Sequence, residues 1–158
     1  MILVTLGTLH FPFDRLLHAL EDLPDDEELI VQCRVPGPLP AWAQSVPDLP
    51  FDELAETMRA ARVVVCHAGV GSILTALANG KRPVTVPRLA RFGEAVDDHQ
   101  LPFARRLAEA GLITLVEDPA ELAGAVASPA PAPAANLGVN ALAIDLRSTL
   151  RDLLGYSR

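Results

Sequence analysis

Residues 66–72 read Cys-His-Ala-Gly-Val-Gly-Ser, a set of types and spacings that could hold an anion. Gly69 and Gly71 remove side chains where a phosphate would approach the backbone. Ser72 can cap a helix or donate its hydroxyl to an oxygen. His67 can hydrogen-bond the same anion, more strongly when protonated. The apolar run Val63 to Cys66 precedes the turn and a helical pattern opens at Ile73, which puts the glycines at a helix start, where unpaired N–H groups and the helix dipole favour negative charge. This is a diphosphate cradle in outline. An ordinary tight strand-to-helix turn beside a packed histidine has the same residues, and a glycine motif this short does not separate the two.

The surrounding elements are those of an α/β sheet. Ile2 to Leu6, Leu29 to Cys33, Val63 to Cys66, Val84 to Val86 and Ile113 to Val116 are predominantly apolar runs, as expected of strands covered on both faces. Between them Phe13, Leu16, Leu17 and Leu20, then Leu54, Met58 and Ala61, then Ile73, Leu74 and Leu77, then Phe103, Leu107 and Ala110 recur at helical spacing. Alternation of this kind predicts a Rossmann-like parallel sheet with helices on both faces, its ligands beyond the carboxyl ends of the strands. Gly7 and Thr8 end the first run on that rim. The stretches 35–40 (VPGPLP) and 128–135 (SPAPAPAA) are expected to be loops, since each proline removes a donor and fixes φ. The expected organisation is a Rossmann-like domain over 1–127, a Pro/Ala linker over 128–137 and a helix over 138–158 with Leu142, Leu146, Leu150 and Leu153 on one face. That face either packs on its own domain or docks a partner.

With 158 residues, half of them hydrophobic, there is material for one core. A formal charge of -7 argues against a nucleic-acid binder, which needs clustered Lys and Arg. Cys33 and Cys66 close apolar runs and read as reduced, buried thiols. Histidines are dispersed and the cysteine spacing fits no zinc site, so no metal is expected. The MILVTLGT start reads as a strand and not a signal peptide, and no apolar stretch is long enough to span a bilayer, so a soluble cytoplasmic protein is expected. His18 is expected on the surface, Lys81 and Arg82 at a solvated helix end.

The segment CHAGVGSILTALANGKRPVTVP followed by DDHQLPFARRLAEAG resembles the C-terminal domain of glycosyltransferase family 28, especially its small single-domain members. VTLGT at the start and LPFDELAETMRAARVVVCHAG fit the same pattern, so the resemblance covers roughly residues 1–126. It implies the donor-binding half of an inverting GT-B glycosyltransferase, with a UDP-sugar as substrate and no cofactor. By resemblance the diphosphate rests on Gly69, Val70, Gly71 and Ser72 beside His67, with Gly7 and Thr8 near the phosphates or the interdomain cleft. The uracil edge is read by the backbone at Phe51, whose ring is expected in the core. Asp98, His99 and Gln100 match side chains that contact the donor sugar, suited to hydroxyls because carboxylates accept and amides donate. Asp97 is expected to cap the helix that follows. Thr75 departs from the pattern: many relatives have a glutamate there to grip ribose hydroxyls, and a threonine leaves a single hydroxyl.

The resemblance further implies a separate membrane-anchored subunit that presents a lipid-linked acceptor, recruiting this chain to the inner face of the membrane for polysaccharide or glycolipid synthesis. It leaves the catalytic base unassigned, because the base comes from the other domain or the cleft; His10 is not expected to be that base. Two alternatives stand beside it: a non-catalytic nucleotide-sugar-binding scaffold, and half of an epimerase-like GT-B enzyme.

Overall fold

A computed structural model of the chain describes residues 1–133; the helix expected over 138–158 and the end of the 128–137 linker lie outside the described residues. Six strands run in chain order as β1 (Ile2–Thr5), β2 (Leu29–Gln32), β3 (Gln44–Val46), β4 (Val63–His67), β5 (Val84–Val86) and β6 (Thr114–Leu115). All pair in parallel, in the spatial order β3-β2-β1-β4-β5-β6. The order reverses between β1 and β4, and loops that leave these two strands must diverge there, opening a crevice beyond their carboxyl ends. The Rossmann-like α/β architecture read from the apolar runs is what the chain adopts.

Five helices cover the sheet: α1 (Asp14–Ala19), α2 (Phe51–Ala60), α3 (Val70–Ala78), α4 (Gln100–Glu109) and α5 (Leu122–Ala127). Alternation along the strands sorts the core. Ile2, Val4, Val63 and Val65 bury against Phe13, Leu16 and Leu20 from α1 and its continuation, and Leu122 and Val126 of α5. On the opposite face Leu3 and Val64 meet Met58 of α2 and Ala76 of α3, while Cys66 joins Ile73, Phe103 and Leu107 under α3 and α4. Both strand faces are therefore covered, which is why these strands read as mostly apolar runs rather than alternating ones.

Two strands differ from expectation. β3 was not expected, since an edge strand half open to water carries no apolar run: Gln44 and Ser45 are exposed. β6 shrinks to two residues, and the buried Ile113 and Val116 flank it outside the ladder. The VPGPLP stretch is loop as expected, and residues 129–133 are likewise without helix or strand.

Candidate functional site

The crevice at the β1/β4 switch point is a cavity of about 360 Å³ lined by Gly7, Thr8, Leu9 and Thr5 from β1 and its loop, by Gln32, Asp48, Leu49, Phe51 and Leu54, and by His67, Gly69, Gly71, Ser72 and Thr75. That size lies within the range of small-molecule sites. Sequence positions as far apart as 7, 51 and 72 meet here because they follow β1, β3 and β4, parallel strands of one half of the sheet whose carboxyl ends share a rim.

The β4–α3 turn starts its helix earlier than the apolar spacing suggests. Gly69 is the N-cap, in extended conformation (φ -85°, ψ 132°), without a side-chain cap bond, and α3 begins at Val70. Ser72 is therefore the third helical residue and not the cap. The first intrahelical bond runs from the Ile73 N–H to the Gly69 carbonyl at 3.1 Å. The N–H groups of Val70, Gly71 and Ser72 belong to the orphan donors of the first turn, and Gly71 and Ser72 line the cavity. A β-carbon at Gly71 would meet nothing within 4 Å, so this glycine answers no packing demand; its bare Cα leaves room in front of the amides. Val70 is exposed at 36% and does not line the cavity with its side chain.

Gly69 and Gly7 are glycines for a different reason. A β-carbon at either would overlap the His67 imidazole, and Gly7 sits at φ +71°, a backbone state that L side chains resist. His67 is thus wedged between the two loops with 7% exposure. Burial, with the nearby Arg88 charge second, pushes it down to about 4. At neutral pH the ring is uncharged, so the stronger, protonated form of the expected hydrogen bond is not populated, while a neutral ring still carries one N–H. The ring fills the space between the two glycines.

Thr75 donates its hydroxyl to the Gly71 carbonyl at 2.8 Å, one turn back along α3. Its single proton is therefore spent within the helix. Phe51 reverses its expectation as well: as the first residue of α2 its ring is 68% exposed, on the cavity wall beside Leu49 and Leu54, rather than in the core. An aromatic face with aliphatic neighbours is a surface on which a nucleobase can stack.

Asp98, His99 and Gln100 do not line this cavity. Gln100 is buried, and its Oε1 accepts from the Arg88 N–H at 3.1 Å. Asp98 accepts from the Ala90 N–H at 2.7 Å. Asp97 accepts from the His99 N–H at 3.0 Å and also meets the His99 ring; the N-cap of α4 is His99, which makes no side-chain cap bond. The three polar residues thus hold the loop before α4, and Asp97 ties a turn rather than capping the helix.

The loop's centre is a residue the sequence did not single out. Arg88 is 1% exposed, lies over the Phe13 ring at 4.4 Å, and donates to the carbonyls of Leu6, Phe11, Pro12 and Glu94 at 3.0–3.2 Å. Its neighbour Glu94 receives Arg15 through two bonds at 2.9 and 3.0 Å and the Leu89 N–H at 3.0 Å. Carbonyls of the loop bearing Gly7 and Thr8 are therefore pinned by a guanidinium from the loop after β5. One arginine in a loop has no periodicity to betray it; its signal would have been a lone charge directly after an apolar strand. Cys66, also at the end of β4, has its thiol pushed up to about 12 by burial, so it is inert, in keeping with its reading as a small hydrophobe.

His10 and His18 are exposed. Among the described residues no three His, Cys, Asp or Glu side chains gather as metal ligands would, and no helix is long and apolar enough to cross a membrane.

A parallel sheet in this order, with a glycine-bearing helix start at its switch point, defines a Rossmann-like domain of the kind that seats phosphorylated ligands at the strand ends. The family model described as glycosyltransferase family 28 C-terminal domain matches residues 1–136, and the chain belongs to that family. Over 56 residues it is 43% identical to the UDP-N-acetylglucosamine transferase subunit ALG13 of Yarrowia lipolytica, covering 35% of this chain and 26% of that protein. Over 90 residues it is 39% identical to the UDP-N-acetylglucosamine--N-acetylmuramyl-(pentapeptide) pyrophosphoryl-undecaprenol N-acetylglucosamine transferase of Ralstonia nicotianae, covering 54% of this chain and 23% of that one. The matched segments thus span about a quarter of either relative. Among solved structures, the calicheamicin glycosyltransferase CalG4 superposes with a TM-score of 0.57 at 24% identity, over 97% of this chain and 38% of that one, a likeness of fold. The chain is a glycosyltransferase-family domain with the Rossmann-like fold of GT-B enzymes.

Proposed function

We propose that this chain is the donor-binding part of a split inverting GT-B glycosyltransferase, which moves a sugar from UDP to a lipid-linked acceptor presented by a membrane-associated partner at the cytoplasmic face, in polysaccharide or glycolipid synthesis. One observation carries the reading: the α3 amino terminus faces the switch-point cavity with first-turn amides lacking intrahelical partners, behind a glycine whose missing side chain serves no packing need. The names of the relatives support the rest. One is a UDP-N-acetylglucosamine transferase subunit, and the other acts on a pyrophosphoryl-undecaprenol acceptor.

In the proposed reaction the acceptor oxygen forms a bond to the sugar's anomeric carbon as the bond from that carbon to the β-phosphate oxygen breaks. The electron pair leaves with the diphosphate. Amides and the α3 dipole at Gly71 and Ser72 stabilise that growing charge, without needing a proton from neutral His67. The acceptor's proton goes to a base on the partner side of the cleft. Phe51 offers its ring and backbone to the base of the nucleotide.

A second reading has a specific observation in its favour. Asp98 and Gln100, the residues proposed for sugar contact, are spent on their own loop, as they would be in a module that binds the nucleotide without turning over the sugar. Calorimetric titration with UDP, UDP-glucose and UDP-N-acetylglucosamine tests the proposal. Wild type binds UDP, and Gly71→Val loses that binding by at least about a hundredfold while its melting temperature holds, since the new side chain enters open space. A wild type that binds no uridine nucleotide refutes the reading. UDP binding unaccompanied by sugar transfer to a lipid acceptor in membranes containing the partner favours the second.

A further inference from the structure

A nucleoside diphosphate whose phosphates meet Gly71 and Ser72 and whose base meets Phe51 must place its ribose between them. Two hydroxyls then enter the cavity and need acceptors, because an unmet hydroxyl removed from water costs free energy. The polar side chains of the wall are largely committed. Thr75 has donated its proton to Gly71 and Thr5 donates to Gln32 Oε1 at 2.6 Å in a buried pair; each oxygen keeps lone pairs, but as a neutral acceptor weaker than a carboxylate. Asp48 differs. It is the one carboxylate among the residues lining the cavity, it follows the edge strand β3 three positions ahead of Phe51, and its side chain is 52% exposed.

Arg34 holds Asp48 from the neighbouring loop. Its Nε lies 3.1 Å from Oδ1 and 2.9 Å from Oδ2, and its Nη2 lies 2.8 Å from Oδ2. A carboxylate has about four lone-pair positions. Three donor contacts leave Oδ1 with room for one more, while Oδ2 is taken up by the guanidinium. The pair is open to water on both sides, with Arg34 38% exposed, so it orients the carboxylate and adds little stability of its own.

We propose that Asp48 is a specificity-determining residue that accepts a ribose hydroxyl of the donor nucleotide through Oδ1, with Arg34 fixing its orientation. This rests on the UDP-donor reading above. It gives the site a ribose contact from the β3 edge and selects ribonucleotides over deoxyribonucleotides.

The test compares UDP, 2′-deoxy-UDP, 3′-deoxy-UDP and GDP on wild type, Asp48→Asn and Asp48→Ala by calorimetry, with melting temperatures recorded for each. Wild type should bind UDP about tenfold or more tightly than at least one deoxy analogue, as a hydrogen bond to a charged group implies. Both variants, altered at an exposed position, should melt like wild type, bind UDP about tenfold more weakly, and treat UDP and that analogue alike. Retained discrimination in folded Asp48→Asn and Asp48→Ala overturns the assignment. So does a change in the UDP-to-GDP ratio with the deoxy discrimination intact, which would make Asp48 a reader of the base. A wild type that ignores UDP overturns the donor reading itself, and shows this before any variant is made.

Discussion

Two neighbouring stretches of the carboxyl rim handle polar groups in opposite ways. In the β4–α3 turn, first-turn amides open on a cavity, and the glycine at 71 has empty space before it. In the β5–α4 loop, residues 87–99, and at the first residue of α4, most polar groups find one another: Arg88 meets four carbonyls though its Nε stays unpaired, Glu94 meets Arg15 and Leu89, Gln100 meets Arg88, and Asp98 meets Ala90. An open set of donors is unfavourable unless water or a ligand completes it, whereas a closed network stabilises a single loop geometry. The contrast separates seat from scaffold. On the proposed function the turn is the seat, and the loop holds the seat's second wall, because Arg88 reaches the carbonyls on either side of Gly7 and Thr8.

The largest effect that would sharpen this contrast belongs to Arg88→Met. It leaves the carbonyls of Leu6, Phe11, Pro12 and Glu94 without their donor, and should cost about 3 kcal/mol of stability by chemical denaturation. A loss below about 1 kcal/mol would mean that the loop is not held by its network. Next comes the pH response of His67. Its folded value of about 4 lies below the ordinary 6.5, so the unfolded chain takes up the proton first. The contribution is whole above pH 6.5 and is lost as pH falls toward 4, by about 3 kcal/mol at most. Histidine ring signals followed by NMR should show no protonation of His67 above pH 5; a midpoint near 6.5 would restore it as a cationic anion ligand. The smallest effect is expected of Asp98→Ala, which removes one exposed bond to the Ala90 N–H. It should cost about 1 kcal/mol or less and leave UDP affinity within about twofold, whereas a large affinity loss would move Asp98 from the scaffold to the seat.

The same contrast explains what could be read in advance. β1, β2, β4 and β5 were legible because two covered faces require mostly apolar runs, and the glycines at 69 and 71 marked the strand-to-helix turn. The reasons for those glycines were not legible: Gly69 yields to the His67 ring and Gly71 to open space, a distinction that exists only in three dimensions. Phe51 was assigned a core ring because aromatic residues are usually buried, yet its place at the start of α2 turns it to the cavity. Asp48, Gln32 and Arg88 carry no spacing signal, since their roles depend on partners as much as 82 residues distant in sequence. Asp98 and Gln100 show the converse. Their types suit a sugar, and the loop uses them for itself.

The central claim is that backbone amides at the start of α3 receive a diphosphate. It is tested most directly by an amide proton–nitrogen NMR titration of the whole chain with UDP at neutral pH. The account predicts that the signals of Val70, Gly71 and Ser72 shift most, downfield as their N–H groups gain acceptors, with Phe51 and Asp48 following. Saturable UDP binding that leaves those three amides unmoved would contradict it.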